Sequence, residues 1–516
     1  MYGSVGRGDS QLTVTVLTVS PAGRRRDPTE GWRIVPETGH REDGAARGVQ
    51  RVAVIGAGFA GLCMAIRLRR AGIDDFTVYE KADDLGGVWR DNTYPGAGCD
   101  VPSILYSYSF AQHGRWSRSF PLQREILTYL RDCAEQYGVT AHLRLGTEIT
   151  TARYDEDERI WRLRTAAGDE FAARVLVSGV GQLNRPRYPD VPGVRTFTGT
   201  AFHSAEWRHD HDLTGRRVAV IGTGPSAVQF VPEIAPKAEK LYVFQRSANW
   251  VVPKPDREFG RTARRLRDRI APIRLALRAL TYTRGETVLY WAIRGGRLSR
   301  IAEYVSRKHL EKSIPEGELR TKLTPAFPIG CKRILISDDW YPALARDNVE
   351  LVTEPVSRII RTGIDTMDGV HRPVDTIIYG TGFLATEFLR PMEVVGRDGV
   401  RLHDVWKDGA AAYLGITVPG FPNLFLLYGP GTNLGHNSTI YMIESQAEFF
   451  LRRILAGGVH EVSQQRFDRD QERLRASIAS SAFDADCNSW YKTADGRVVN
   501  NWAMRTLKYR QLTRRG

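Results

Sequence analysis

Gly56, Gly58 and Gly61 stand at a G-x-G-x-x-G spacing in RVAVIGAGFAGLCMAIRLRRAG, with Phe59 and Ala60 inside the loop. The next apolar run, FTVYEK, ends at Glu80, 24 residues after Gly56. The chemistry open to such a set is the holding of a dinucleotide. Glycines let the backbone approach a pyrophosphate, the N-terminus of the following helix attracts its charge, and the acid accepts from ribose hydroxyls. GRRVAVIGTGPSAVQFVPEIA repeats the design with Gly222, Thr223, Gly224, Ser226 and Ala227. Its second strand, KLYVFQRS, ends without a carboxylate. Arg246 lies 24 residues after Gly222, the same offset as Glu80 from Gly56, and Ser247 follows it. Aligning VYEK with VFQR instead places neutral Gln245 opposite Glu80 with Arg246 next, and either way the carboxylate is gone and a guanidinium has arrived. An acid would repel a 2′-phosphate whereas an arginine pairs with it, so the second loop is expected to bind NADP. The bland alternative for Arg246 is a surface charge ending a strand.

With NADP at the second loop, the first is expected to take FAD. DLGGVW places Gly86, Gly87, Val88 and Trp89 close behind the first unit, and a glycine pair there permits close approach to an extended cofactor. Two later apolar runs, VDTIIYGTGF with Gly382 and FPNLFLLYGPGTNLGHNS, read as strands that return the chain to the first domain. The expected architecture is α/β, with two Rossmann-like dinucleotide-binding domains and a helical insertion. Residues 49–195 and 372–516 would form the FAD domain and 196–371 the NADP domain, with the insert at about 256–320. Residues 1–48, rich in Arg, Gly, Asp and Thr without periodicity, read as a disordered extension. In the insert, Leu266, Ile270, Ile273, Leu277 and Leu280 recur at helical offsets, and Pro272 is placed to kink or break the helix. This stripe fits either a membrane-surface helix, since arginines flank an apolar face, or an intramolecular cover over the active site or substrate entrance.

The chain has 516 residues, enough for two or more domains, and 42% of them are hydrophobic. No run has the length of a transmembrane helix, and LTVTVLTV precedes RRR instead of following a basic segment as in a signal peptide. A cytoplasmic protein without stable membrane insertion is expected. The net charge of +14 is scattered, and anionic dinucleotides account for it better than nucleic acid does. Cys63, Cys99, Cys133, Cys331 and Cys487 include no CxxC or CxxxxC pair, which argues against a zinc site, a dithiol centre or a disulfide reductase. An odd number without close pairs fits a reducing compartment. No metal is expected.

Directly before the second glycine loop stands FTGTAFHSAEW, in which Phe197, Gly199, His203 and Trp207 match the pattern F-x-G-x-x-x-H-x-x-x-W. Together with GAGFAG, GGVW, YPGAGCD and GTGPSA, this stretch resembles the class B flavoprotein monooxygenases, and within them the type I Baeyer–Villiger monooxygenases. HDLTGRRVAVIGTG, GHNS and SWYKTADGR with the later NNW are similar to the hydroxyacetophenone monooxygenase-like group, from which NNWAM departs where Trp-Pro-Gly is usual. The likeness runs from about residue 50 to the C-terminus. Arg208 departs from the Pro or Asp that usually follows the Trp.

The resemblance implies that NADPH reduces FAD, that O2 adds to give a C4a-peroxyflavin, and that attack on a ketone, aryl or otherwise, yields an ester or lactone. It implies that Lys332 reaches the NADP 2′-phosphate, that Arg333 is the active-site arginine, and that Asp100 holds it. It also places Tyr106 and Ile149 beside the flavin and Trp490 beside NADP. His203 is read as an organiser of the linker between the domains and Trp207 as its anchor. Two other readings remain beside this one: oxygenation of a soft N or S atom, and a catalytically silent flavoprotein scaffold. Trp207 favours the ketone over the heteroatom, and the intact loops with Arg333 and Asp100 weigh against the scaffold.

Overall fold

The computed structural model describes residues 32–35 and 48–516. Each glycine loop leaves the carboxyl end of a strand buried on both faces. In Val49–Ile55, Val52 and Val54 enter one apolar cluster while Ala53 and Ile55 enter another. In Arg217–Ile221, Val218 and Val220 face one cluster and Ala219 the opposite one. Strands covered on both faces read as continuous apolar runs, which is why both are plain in the sequence.

The larger sheet has the spatial order Glu393–Val395, Ile149–Asp155, Ile160–Thr165, Glu170–Ser178, Val49–Ile55, Phe76–Tyr79 and Leu143–Arg144. Leu424–Leu426 also pairs with Glu170–Ser178, in parallel, so this run does return to the first sheet. The second sheet is wholly parallel, in the order Val349–Val352, Lys240–Phe244, Arg217–Ile221, Thr376–Tyr379 and Thr200–His203.

Thr376–Tyr379 corrects the expected boundary at residue 372. It lies between two strands of the second sheet instead of returning to the first, and all four of its residues are buried. An apolar run of four cannot by itself say which sheet it completes. The stretch at Phe197–Trp207 is likewise more than a linker, because Thr200–His203 forms the edge strand beside it.

A second correction concerns the N-terminal extension. Trp32–Val35 forms a strand antiparallel to Val459–Val462, and the Trp32 ring meets those of Tyr413 and Phe449 at 5.9 and 5.8 Å. Residues 1–31 and 36–47 of the expected disordered segment lie outside the described residues.

The insert forms Arg261–Arg269 and Ala271–Arg284, broken at Ile270, with Pro272 in the first turn of the second helix. There the missing proline N–H costs nothing. The break divides the apolar stripe: Ile273 and Leu277 are half-buried, while Leu266, Ile270 and Leu280 are exposed. Arg278 donates to the carbonyl oxygen of Ile104 at 2.7 Å, and the Gly114 N–H donates to Asp268 at 3.0 Å, so the insert lies against the 104–114 segment. Among the described residues, no helix is long and apolar enough to cross a membrane.

The third correction concerns cysteine. Cys331 and Cys487, 156 residues apart, form a disulfide, while Cys63, Cys99 and Cys133 are free and buried. Spacing excludes a local dithiol motif but does not exclude a pair joined by the fold.

Candidate active site

A single cavity of about 1200 Å³ runs past both glycine loops. That exceeds the roughly 300–1000 Å³ of an ordinary small-ligand pocket and leaves room for two extended cofactors. At the first loop, Gly56 has φ +95°, and a Cβ there would lie 2.8 Å from the carbonyl oxygen of Gly179. Only glycine fits both demands. Gly61 faces away from the cavity and packs its Cα against the Gly56 carbonyl, bringing helix and strand together.

The helices Phe59–Arg70 and Pro225–Ile234 both begin at a glycine with no side-chain cap and no acid in the first turn. Their leading N–H groups are therefore left for an anion. Glu80 is buried at the end of its strand. One carboxylate oxygen accepts from the Ala57 N–H at 2.8 Å, and the other accepts from Arg90 at 3.0 Å. Phe59, Ala60, Gly58, Gly87, Val88, Trp89, Tyr106 and Ile149 line the same end of the cavity. The Trp89 indole N–H donates to the Tyr106 hydroxyl at 3.0 Å, fixing both rings.

At the second loop, Gly222, Thr223, Gly224 and Ser226 line the cavity, whereas Ala227 is buried beneath it. Lys332 donates to the Ser247 hydroxyl at 2.5 Å. Burial, and then the guanidinium of Arg246, push the Lys332 ammonium below the usual lysine range. Two cations sharing one wall with a hydroxyl form a place that a dianion would relieve. The residues thus fit two dinucleotides, the second carrying a further phosphate.

Between the loops, Arg333 faces Asp100 at 3.7 Å. Burial acts to lower the guanidinium pKa, but the Asp100 carboxylate together with Cys99, Tyr428 and Tyr491 raises it above the usual arginine value, so Arg333 stays charged. Phenols close the surroundings. Burial pushes Tyr428 up to about 12 against the opposing pull of Arg333, so it stays neutral and donates to Asn433 at 2.8 Å. Gly382 and Trp490 line the cavity as well.

Phe197, Gly199, His203 and Trp207 do not line it. The aromatic ring of Phe197 and the carbonyl of Asp375 crowd Gly199 so closely that a Cβ would lie within 2.6 Å of both. His203 is fully buried and accepts from the Ala205 N–H at 3.1 Å, capping a short turn. Burial lowers its pKa, so it is neutral and packs between Tyr188 and Phe383. The Trp207 ring lies 5.3 Å from both Phe202 and Phe230, pinning this stretch to the helix of the second loop. Arg208, the departure from the pattern, is an exposed partner of Asp210 at 2.7 Å and touches none of this.

Sequence reasoning missed Gln229. It stands on the helix Pro225–Ile234, donates to Gly98 at 3.0 Å and Asp100 at 3.3 Å, and accepts from the Tyr94 hydroxyl at 3.0 Å. Its one signal is a lone amide among Ala227, Val228, Phe230 and Val231. The Gly98 N–H also donates to Gln229 at 3.3 Å, so Gln229→Leu strips four polar groups of a partner worth about 1–3 kcal/mol each. We expect product formation to fall roughly tenfold to a hundredfold, with flavin content unchanged, as read by steady-state kinetics on the flavin-loaded protein. Wild-type kinetics would remove Gln229 from the positioning of Asp100.

Glu286 was missed too. The insert has no residue among those that line the cavity. It acts through Glu286, whose carboxylate accepts from Asn437 at 3.0 Å and from the Thr506 hydroxyl at 2.6 Å. Burial would raise this acid, but His436, Thr506 and Asn437 bring it down to about 2. Asn437 is part of the cavity wall, so a buried charge in the insert holds that wall in place.

Residues 49–261 match the family described as Flavin-binding monooxygenase-like. The chain is similar to a Baeyer–Villiger monooxygenase of Pseudomonas aeruginosa, 43% identical over 90% of this chain and 89% of that one. A Baeyer–Villiger monooxygenase of Streptomyces coelicolor is 42% identical over 90% and 91%. Among solved structures, an oxidised steroid monooxygenase bound to NADP superposes with a TM-score of 0.81 at 32% identity. OTEMO in complex with FAD and NADP superposes at 0.82 and 28%. Each superposition covers 90% of this chain and 97% of the other.

Proposed function

The chain belongs to the Baeyer–Villiger monooxygenases of the flavin-binding monooxygenase-like family, and on that premise we propose that its substrate is a neutral ketone, converted to an ester or lactone. It is an FAD-containing, NADPH-dependent monooxygenase. The overall reaction consumes ketone, O2, NADPH and a proton, and returns ester, water and NADP⁺.

The observation that carries the ketone assignment is the held charge of Arg333 against an otherwise neutral wall. Beside Arg333, Tyr428 and the Asn433 it donates to carry no charge, and Leu434, Asn437, Ile440 and Trp490 are uncharged residues of the same cavity lining. Such a wall accepts an uncharged molecule without leaving a buried charge unpaired.

Bound FAD would supply the redox chemistry, with NADPH as the hydride source and O2 as the oxidant. Arg333 donates to the oxygen that becomes negative as the carbonyl is attacked, and Asp100 keeps the guanidinium aimed there. Lys332, Ser247 and Arg246 would hold the 2′-phosphate, and Glu80 would hold the flavin nucleotide's ribose. On this reading the FAD domain comprises the larger sheet with the C-terminal segment. The NADP domain comprises the parallel sheet from Thr200 to Tyr379.

The test is a matched panel of aryl ketones and thioethers, with products identified by mass spectrometry alongside oxygen uptake. Ester formation from at least one ketone, exceeding sulfoxide formation, is expected. Heteroatom oxidation alone would replace the ketone assignment, and no NADPH-dependent oxygen uptake with any substrate would leave the scaffold reading.

A further inference from the structure

The disulfide between Cys331 and Cys487 lies at the wall of the cavity, and both of its ends adjoin residues that form that wall. Cys331 immediately precedes Lys332 and Arg333. Cys487 immediately precedes Asn488, Ser489 and Trp490, all of which line the cavity. We propose that this disulfide is a redox-active site for a dithiol reductant, and that its opening frees the Asn488–Trp490 wall from the Lys332–Arg333 segment and weakens the hold on NADP. The proposal rests on the assignment of Lys332 to the NADP phosphate.

The two cysteine residues differ in burial. Cys331 is fully buried, whereas Cys487 is half-buried between the exposed Asp486 and Asn488. A dithiol therefore attacks the Cys487 sulfur, and Cys331 leaves as a thiolate that takes up a proton. The second thiol of the reductant then attacks the mixed disulfide and releases the Cys487 thiol. The protein gains two electrons and two protons, and the reductant leaves as a cyclic disulfide. Cys331 Sγ already lies 3.1 Å from the carbonyl oxygen of Ala485, so the freed thiol has an acceptor in place and stays positioned for re-oxidation.

The backbone bonds around 484–490 are local. Ala485 N–H donates to Ala482, and Lys492 N–H donates to Ser489. The Ala485 carbonyl also accepts from the Lys492 ammonium at 2.7 Å. None of these crosses to Lys332 or Arg333, so the disulfide is the covalent tie between the two walls.

The remaining thiols do not compete. Burial pushes Cys99 up to about 12 and Cys133 up to about 11, and it raises Cys63 further. Thiols so protonated exchange poorly.

The test uses the full-length, flavin-loaded enzyme purified without reductant. Peptide mapping under non-reducing conditions should yield a linked pair containing Cys331 and Cys487 that dithiothreitol separates. Dithiothreitol should raise the NADP⁺ dissociation constant by about fivefold or more. Cys487→Ser should show the weaker affinity with or without reductant. Absence of the linked pair after air oxidation overturns the proposal, as does an NADP⁺ affinity unchanged by reduction. Reduced wild-type enzyme serves as the measurement if Cys487→Ser fails to fold. Neither readout needs ketone turnover, so failure here is distinct from failure of the ketone assignment.

Discussion

Arg333→Ala is expected to give an enzyme that accepts hydride from NADPH at close to the wild-type rate yet loses ester formation by about 10²–10³-fold. Arg333 sits between the two glycine loops, with Asp100 3.7 Å away and the phenols of Tyr428 and Tyr491 around it. Its charge is therefore held in a confined place, where electrostatic stabilisation of a developing anion exceeds its value in water. Hydride transfer develops no comparable charge on the substrate carbonyl, so it should be spared. Stopped-flow reduction of the flavin reads the first step, and mass spectrometry of the product reads the second. Oxygen consumed without ester should appear as hydrogen peroxide. Arg333→Lys should recover only part of the loss, because an ammonium lacks the planar fork that faces carboxylate and oxyanion together. Ester formation at the wild-type rate in Arg333→Ala would take Arg333 out of the chemistry.

Local pattern reveals the parts of this molecule whose job is local. Gly56 and Gly222 are legible because a positive φ beside a neighbouring backbone leaves no other residue type, and the apolar runs before them are legible because both faces are covered. The loss of the acid is legible too: Phe244 pairs with Ile221 as Tyr79 pairs with Ile55, so neutral Gln245 stands in the place of Glu80 and Arg246 follows it. What escapes is set by contacts far apart in the chain. Gln229 acts through a loop 129 residues away and Glu286 through a loop 151 residues away, and neither lies in a recognisable motif. Thr376–Tyr379 is an evident strand, but its sheet is decided by the neighbours it meets. The same holds for Cys331 and Cys487, which spacing treats as unrelated and the fold joins.

Arg246→Ala and Lys332→Ala should each raise the KM for NADPH by about tenfold to a hundredfold, as expected for a charge-assisted hydrogen bond worth about 1.5–3 kcal/mol. The KM for NADH should change little, because NADH has no 2′-phosphate to lose. The Lys332 ammonium is held below the usual range by burial and by Arg246, so it is a cation kept at a cost until an anion arrives. A bound phosphate stabilises the charged form and raises its pKa. Affinity for NADPH should therefore be full while Lys332 is protonated in the free enzyme, and should fall as pH rises through its depressed value. NADH affinity should show no such fall. Lys332→Met should flatten the NADPH profile, and Arg246→Ala should move its fall to higher pH, because a repelling neighbour has gone. NADPH and NADH weakening equally in both variants would show that these cations support the wall instead of reading the phosphate.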